Sequence, residues 1–356
     1  MVKNYNKTPK IKEGWSGPGR RDEVITSFKP EYDGLHIDLK KKGYFEWWYF
    51  DARLEGGYTV VGFFRAAHER TGKTAVEIVI YKPNGERMQK FVKYKRSDMT
   101  VSREKADMNI GHNYIKVDYS SADLPIYEVF LDEDGLGFHL KFAAKVHGWM
   151  PGNGSTQFGN KGYFAWCVPF PRADVEGNIW IGKNNMPVKG IGYHDHNWGN
   201  INMPRYLEYW YWGRLYSETF TVVYAYIKCN KKMDDYAIKV LMLAKNEEII
   251  LSTGEYELIQ KNFAYDAKAA NKYPKSLTFK MDKQLEIYLH VQEIIDSGNI
   301  LELFNINSVI RFIVKYILRL NPGYFRFNSN FKLNVTLEGK SYQEQGNILH
   351  EMVILS

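Results

Sequence analysis

One short segment in the middle of the chain combines several polar groups with aromatic rings. Its sequence is Gly190-Ile191-Gly192-Tyr193-His194-Asp195-His196-Asn197-Trp198-Gly199. We expect its glycines to form a turn or bulge that presents the side chains between them. Asp195 is then a candidate proton donor or acceptor, and Tyr193, His194 and His196 are its candidate hydrogen-bonding partners. The plainer alternative is a hydrogen-bonded turn that only joins two strands.

The two histidines of this segment also raise the question of a metal site. A His-x-His pair supplies two ligands, whereas zinc needs a third and a fourth. No other His or Cys group stands near them with ligand spacing, and Cys167 and Cys229 are expected to be reduced thiols. We therefore predict no metal at His194 and His196, and neither cysteine as a nucleophile.

A second dense cluster, Gly43-Tyr44-Phe45-Glu46-Trp47-Trp48-Tyr49-Phe50-Asp51, lies near the start of the chain. On a strand, one face would hold Phe45, Trp47, Tyr49 and Asp51, and the other Glu46, Trp48 and Phe50. Aromatic residues on both faces are typical of a strand that is buried on both sides. Glu46 is then either a functional carboxyl held in an apolar wall or the partner of an arginine such as Arg53 or Arg65.

A third cluster, residues 206–212, is also aromatic and carries one acid. On a strand, one of its faces would hold Tyr206, Glu208, Trp210 and Trp212. With Trp149 and Trp166 added, these rings supply enough surface to line a deep cavity for an apolar ligand. Ring faces also attract positive charge, which favours a cationic intermediate. The predicted ligand-binding residues are Glu46, Trp47, Trp48, Tyr49, Trp166, His196, Asn197, Trp198, Glu208 and Trp210.

The elements that must position these residues are strands. Alternation of period two runs through residues 75–81, and the turn Pro83-Asn84-Gly85 joins it to a second strand that ends at Tyr94, which predicts a hairpin. Further strands are predicted at 113–119, 127–131, 138–144, 206–212, 219–229, 236–244, 276–282, 285–291 and 331–337. Many short strands with frequent turns predict an all-β fold of barrels or sandwiches.

One segment departs from this pattern and predicts a short helix in the C-terminal half. Ser308 can cap the run Val309–Leu320, and Asn321-Pro322-Gly323 ends it. Its cations recur every four residues and therefore lie on one face. Such a helix either covers a barrel end or rests on a membrane surface with its cations toward acidic head groups.

The domain boundary is predicted from the aromatic strand rather than from the Gly- and Pro-rich zone Pro151–Pro171. That zone contains too many aromatic residues for a flexible linker, so we expect an ordered loop system. Placing the boundary after Tyr216 gives domains 1–216 and 217–356, both within the usual range of domain lengths.

Composition narrows the class of protein. The 356 residues are 44% hydrophobic and 25% charged, which supports folded domains and excludes a disordered chain. No apolar run approaches the roughly 20 residues of a membrane-spanning helix, and the polar start differs from a secretory signal, so we expect a cytoplasmic protein. The net charge of +7 is too diffuse to indicate nucleic acid. The chain has no Gly-x-Gly-x-x-Gly motif, phosphate loop or serine nucleophile elbow, which argues against nucleotide chemistry.

Two of the clusters resemble motifs of a known family. Glu46-Trp47-Trp48-Tyr49 and Gly192–Gly199 resemble the lipocalin-like family that contains bacterial carotenoid hydratases (hydroxyneurosporene synthases) and fungal enzymes that form decalin rings by a Diels–Alder reaction. A weaker third match is Asn321–Phe327 with a late Glu351. The motifs span most of the chain in the family's order. The resemblance implies two tandem lipocalin-like β-barrel or sandwich domains, a hydrophobic pocket in or between them, and no cofactor.

The resemblance also implies roles for individual residues. The Tyr-x-Asp element of the hydratases matches Tyr193 and Asp195 and looks like the catalytic acid with its partner, and an upstream tryptophan corresponds to Trp166. Asp195 would protonate an isolated double bond, and water would trap the tertiary cation. The adjacent His194 and His196 make a more polar setting than this chemistry favours. In the ring-forming members, the pocket mainly folds a polyene into its reactive shape.

These expectations combine into one functional prediction with two alternatives. We predict a cofactor-independent enzyme that binds a hydrophobic isoprenoid or polyene and catalyses hydration, isomerisation or cyclisation, with Asp195 as acid/base and Tyr193 and His194 as its partners. The first alternative is a pericyclase for a linear polyene, in which Asp195 only orients the substrate. The second is a non-catalytic carrier of lipids or isoprenoids that contacts membranes through Val309–Leu320.

Overall fold

The fold is known from a computed structural model that describes residues 10–14, 28–69, 71–120, 124–299 and 321–355. The predicted helix Val309–Leu320 lies outside the described residues. The chain forms two compact units. The N-terminal unit contains the described residues of Val24–Ile201 together with Asn246–Ile249, and the C-terminal unit contains those of Met1–Glu23, Asn202–Lys245 and Ile250–Ser356.

The N-terminal unit is built on one antiparallel sheet. The strands are numbered in chain order, beginning with β1 (Ile11–Glu13) near the start of the chain. Those of the N-terminal sheet are β2 (Phe45–Leu54), β3 (Thr59–Ala67), β4 (Thr74–Tyr81), β5 (Arg87–Tyr94), β6 (Met99–Val101), β7 (Met108–Ile110), β8 (Asn113–Asp118), β9 (Ile126–Glu133), β10 (Leu136–Ala144), β11 (Ser155–Phe158), β12 (Tyr163–Ile181) and β13 (Asn184–Gly199). Their order is β5-β4-β3-β2-β13-β12-β10-β9-β8-β7-β6, with β11 paired to β12.

The C-terminal unit is built on a second sheet. Its strands are β14 (Leu207–Tyr216), β15 (Phe220–Cys229), β16 (Ala237–Lys245), β17 (Glu248–Thr253), β18 (Glu257–Asp266), β19 (Asn271–Met281), β20 (Leu285–Asn299), β21 (Gly323–Leu337) and β22 (Lys340–Ile354). Their order is β17-β16-β15-β14-β22-β21-β20-β19-β18. Sequence analysis assigned the aromatic strand that forms β14 to the first domain, whereas β14 belongs to the C-terminal unit.

The two sheets share a topology. In each sheet, three successive hairpins lead from a central strand to one edge, β2 to β5 in the N-terminal sheet and β14 to β17 in the C-terminal sheet. That central strand pairs with the last strand of its sheet in chain order, β2 with β13 and β14 with β22. Each sheet therefore has its first and last strands side by side at its centre. This is a structural repeat without a short sequence repeat.

Alternation along the strands builds a separate core in each unit. The N-terminal core includes Phe50, Phe64, Phe138, Phe142 and Phe170. The C-terminal core includes Tyr211, Tyr224, Phe279, Phe325 and Phe331. All of these side chains are at most 1% exposed, so both interiors are filled with rings.

Helices are short in the described parts of the chain. They are the 3₁₀ helices Pro30–Asp33, Glu55–Gly57, Arg96–Asp98 and Lys231–Met233 and the α-helix α1 (Met203–Tyr206). No helix among the described residues is long and apolar enough to cross a bilayer.

Two local predictions were wrong. The zone Pro151–Pro171, expected to be a loop system, contains β11 and the first half of the 19-residue strand β12. The segment Gly190–Gly199, expected to be a turn or bulge, is the continuous end of β13. Its glycines are required by close packing instead. A Cβ on Gly190 would lie 2.1 Å from the Arg53 carbonyl oxygen, and one on Gly192 would lie 2.6 Å from the Phe142 ring.

Candidate functional site

The candidate site lies on the ladder between β2 and β13 in the N-terminal unit. Asp195 is paired with Tyr49 and His196 with Trp48. Because side chains alternate along a strand, consecutive residues of this ladder project from opposite faces of the sheet. Trp48 and Trp198 belong to the packed core, which identifies their face as the inner one. Tyr49 and Asp195 therefore project from the outer face.

The outer face carries a cluster around Asp195, called here the outer-face site and defined by Tyr49, Tyr193, Asp195, Asn197 and Trp166. The Tyr193 hydroxyl donates to Asp195 Oδ2 over 3.0 Å, and the Asn197 amide donates to Oδ1 over 2.7 Å. The Trp166 indole N–H also donates to this carboxyl. All three donors are neutral groups, and Asp195 is only 6% exposed.

Burial dominates the proton affinity of this carboxyl. It raises the pKa of Asp195 to about 6, although the nearby His194 and the three donors act in the opposite direction. A carboxyl with such a pKa is able to exchange a proton near neutral pH. The Tyr49 ring adds aromatic surface beside the Asp195 carboxyl. It packs edge-on against the Phe63 ring, with 4.9 Å between the ring centroids.

The inner face carries a second group, called here the inner charge cluster and defined by Asp33, Glu46, His194 and His196. All four side chains are fully buried. His194 Nε2 lies 2.9 Å from Asp33 Oδ2, and His196 Nε2 lies 2.9 Å from Glu46 Oε1. His196 Nδ1 faces Asp33 Oδ1 at 3.2 Å. The cluster thus joins the 3₁₀ helix Pro30–Asp33 to both strands of the ladder.

Backbone groups fix the ends of this cluster. The Glu46 carboxylate accepts from the backbone N–H of His36 over 2.8 Å and from that of Ile37 over 2.9 Å. His194 Nδ1 lies 2.8 Å from the Tyr49 carbonyl oxygen, which only accepts, so Nδ1 carries a proton. A further proton lies in the hydrogen bond between His194 and Asp33.

Electrostatics favours ionised groups at the centre of the cluster. Burial opposes ionisation of Asp33, yet His194 and His196 lower its pKa to about 2. Burial likewise opposes the charged form of His196, but the carboxylates of Asp33 and Glu46, which face its two ring nitrogens, raise its pKa to about 9. Pairing therefore outweighs desolvation at both groups.

The structure brings together some of the residues that the sequence singled out and separates others. Asp195, Tyr193 and Asn197 meet on the outer face. His194 was predicted to be a hydrogen-bonding partner of Asp195, but its ring lies on the inner face, stacked on Phe50 at 3.9 Å. Its influence on Asp195 is electrostatic and not a hydrogen bond.

Glu46 has a different partner from either arginine that the sequence suggested. It pairs with His196, which comes from the opposite strand, whereas Arg65 pairs with Glu77 at 3.0 Å. His196, a predicted ligand-binding residue, lies enclosed between Asp33, Glu46 and the Trp48 ring, which stacks on it at 4.1 Å.

The remaining residues that were predicted to line the ligand pocket lie on both faces of the ladder and in the C-terminal unit. Trp198 lies on the inner face, where its ring stacks on that of His36 at 3.7 Å. Trp47 lies on the outer face and is paired in register with Asn197. Glu208 and Trp210 are half-buried residues of β14 in the C-terminal unit.

Sequence reasoning missed two residues of the inner charge cluster and its surroundings. Asp33 stands in Glu31-Tyr32-Asp33-Gly34, which looks like an ordinary turn, and only the fold brings it to His194. Tyr127 donates to Asp33 Oδ2 over 2.8 Å. Alternation in β9 could have identified Tyr127 as an inward-facing residue, but no local signal indicated its partner.

The two sheets place the protein in the class of all-β proteins with a lipocalin-like fold. Solved structures with the same overall fold include an AttH protein of Nitrosomonas europaea, with a TM-score of 0.62 and 14% identity, over 93% of this chain and 97% of that one. Kievitone hydratase of Nectria haematococca matches with a TM-score of 0.54 and 16% identity, over 95% and 98%. CghA, solved with Sch210972, matches with a TM-score of 0.59 and 12% identity, over 98% and 99%. The prediction of an all-β, lipocalin-like chain is confirmed.

The family follows from the sequence itself. The model of the Svf1 family matches residues 70–356, most of the chain, so this protein belongs to the Svf1 family. A curated relative, hydroxyneurosporene dehydrogenase of Chlorobaculum tepidum, is 34% identical over 65 residues. That alignment spans 17% of this chain and 17% of the relative, so it concerns only a small part of either protein.

Proposed function

We propose that the protein is a cofactor-independent enzyme that binds a hydrophobic isoprenoid or polyene at the outer-face site and catalyses hydration, isomerisation or cyclisation. The observation that supports this proposal is the setting of Asp195. Its carboxyl is 6% exposed and receives hydrogen bonds from a phenol, an amide and an indole. A buried carboxyl with neutral partners is suited to acid/base work on an apolar substrate.

The proposed chemistry begins with proton transfer from the protonated Asp195 carboxyl to an alkene carbon. The π electrons form the new C–H bond and leave a tertiary cation on the neighbouring carbon. The rings of Trp47, Tyr49 and Trp166 supply aromatic surface on the same face of the sheet as Asp195, and aromatic surface stabilises such a cation. Water then adds to the cation and loses a proton to the Asp195 carboxylate, which regenerates the acid. Loss of a different C–H proton to the same carboxylate gives an isomer. Attack by an internal double bond closes a ring and moves the positive charge to another carbon, which then loses a proton to the same carboxylate.

The comparisons support this class of reaction in two ways. One protein of the same fold is named as a hydratase, so the fold is compatible with addition of water. The short curated match is to a protein whose name carries hydroxyneurosporene, which motivates testing isoprenoid substrates. The separation of His194 and His196 from the outer face also leaves Asp195 in a less polar setting than the sequence suggested.

The first experiment is native mass spectrometry with lipid extraction on the protein purified from its own host. An enzyme is expected to retain an isoprenoid or polyene together with a partner that has gained one water or has isomerised. An intact lipid without any converted partner would favour the carrier instead.

The decisive variant is Asp195→Asn, which keeps the shape of the side chain and removes the acidic proton. The matched control is Asp174→Asn, because Asp174 is an exposed acid of β12 in the same unit. Hydration of the recovered ligand should fall at least about 100-fold in Asp195→Asn and stay unchanged in the control, as expected for loss of a general acid. A modest slowing would indicate a pericyclase in which Asp195 only orients the substrate. Unchanged conversion would refute the role of Asp195.

A further inference from the structure

Three side chains on the inner face are possible metal ligands and lie close together. Asp33, Cys167 and His196 are all buried, and one ligand atom from each lies within 4.8 Å of the other two. They come from three elements, the 3₁₀ helix Pro30–Asp33, β12 and β13. Cys167 and His196 are direct partners in the ladder, just before a bulge in β12. The fold thus brings one histidine of the His-x-His motif, His196, together with two possible ligands that are distant in sequence.

The polar atoms of the inner charge cluster are satisfied except at this point. Asp33 Oδ1 and His196 Nδ1 have no hydrogen-bond partner among the described residues, although both are fully buried. They face each other at 3.2 Å as an ion-pair contact that does not have the geometry of a hydrogen bond. Buried polar atoms are rarely left in this state, so each such pair calls for an explanation. Two neighbouring ligands of one cation would show this arrangement.

The atoms on the other side of each group match the surroundings of a metal site. A ligating histidine usually donates its second ring N–H to a carboxylate, and His196 Nε2 faces Glu46 at 2.9 Å. A ligating carboxylate is usually hydrogen-bonded through its second oxygen, and Asp33 Oδ2 accepts from Tyr127 over 2.8 Å and lies 2.9 Å from His194 Nε2. Both of these groups are therefore already oriented.

The third ligand, Cys167, must lose a proton before it can bind a cation. The Cys167 thiol donates its proton to the Tyr32 carbonyl oxygen over 3.2 Å. Zinc binds the thiolate form of cysteine, so a cation must displace that proton on binding.

We propose that Asp33 Oδ1, Cys167 Sγ and His196 Nδ1 bind a zinc ion. Thiolate, imidazole and carboxylate together are ligands that zinc accepts. The ion would join residue 33 to the centre of the sheet on the face opposite Asp195, and with three protein ligands its fourth position would be filled by water. The site is therefore independent of the proposed catalytic function.

The test measures metal content and ligand identity in the full chain. After expression with added Zn²⁺ and gel filtration, the protein should retain one zinc per chain by elemental mass spectrometry. Cys167→Ser and Asp33→Asn should each lower the retained zinc at least about tenfold. Cys229→Ser is the matched control, since Cys229 is the second buried cysteine and lies in the C-terminal unit, and it should retain the zinc.

A second measurement keeps the proposal testable if a variant fails to fold. Unmodified protein is unfolded, stripped of metal and refolded with Co²⁺. A sulfur-to-cobalt charge-transfer band should appear in this protein and in Cys229→Ser, and it should be absent from Cys167→Ser. The proposal is overturned if the unmodified protein retains no zinc and shows no such band, or if the band survives in Cys167→Ser.

Discussion

Replacement of Glu46 by glutamine tests how strongly the inner charge cluster holds the N-terminal unit together. The carboxylate accepts two backbone N–H groups and the ring of His196, and it is fully buried. Glutamine keeps one oxygen but turns an NH₂ group toward a donor. One buried donor then loses its acceptor, and His196 loses an anionic partner.

The size of the effect follows from these two losses. An unsatisfied buried donor costs about 1–3 kcal/mol, and removal of one partner from a buried ion pair costs about 3–5 kcal/mol. The loss of the anionic partner of His196 is the larger of the two, and we take it as the estimate. We therefore expect Glu46→Gln to lower the free energy of unfolding of the N-terminal unit by about 3–5 kcal/mol.

The assay is urea unfolding followed by tryptophan fluorescence, after dialysis against a chelator so that all proteins have the same metal content. Glu86→Gln is the matched control, because Glu86 is 51% exposed and pairs with Lys82 at the surface. Such a pair contributes about 0–1 kcal/mol. If Glu46→Gln is no more than about 1 kcal/mol less stable than the control, the argument that this carboxylate anchors the cluster is refuted.

Two further predictions concern the cores. Burial lowers the pKa of His350 from its ordinary value of 6.5 to about 3, so the folded protein keeps this residue neutral where the unfolded chain protonates it. The free energy of unfolding is therefore unaffected by His350 above pH 6.5 and falls as the pH drops from 6.5 toward 3. The free energy of unfolding should fall by about 1.4 kcal/mol for each pH unit in this range. Urea unfolding of the unmodified protein and of His350→Gln between pH 7 and pH 4 should show a smaller pH dependence in the variant. Gly192→Ala should destabilise the N-terminal unit by about 1–3 kcal/mol, because its Cβ would lie 2.6 Å from both Phe142 and Val175. A thermal unfolding midpoint equal to that of the unmodified protein would contradict the close packing at this glycine.

Alternation explains why much of the fold was predictable. The hairpin of β4 and β5 was expected from a period of two on either side of Asn84-Gly85, and both strands are observed. The two faces of β2 were assigned by the same rule, and Trp48 and Tyr49 do project to opposite sides. These features depend on neighbours along the chain, so the sequence contains them directly.

The parts that could not be predicted depend on residues far apart in sequence. Gly190 and Gly192 suggested a turn, because a glycine signals either conformational freedom or the absence of a side chain. Here the second reason applies, since the Arg53 carbonyl and the Phe142 ring occupy the space of a Cβ. Asp33 is a similar case, because its role depends on His194, which lies 161 residues further along the chain.

The two faces of the β2–β13 ladder depend on each other through strand register. A slip of one residue in β13 would exchange its faces and place Asp195 in the core beside Asp33 and Glu46. Three carboxyl groups would then share a buried site while His194 and His196 faced outward, which is strongly unfavourable. The native register instead gives each buried carboxylate a histidine partner, Asp33 with His194 and Glu46 with His196. The inner charge cluster therefore selects the register that presents Asp195, Tyr193 and Asn197 together on the outer face. Any enzyme chemistry at Asp195 depends on this choice, although no residue of the inner charge cluster needs to touch the substrate.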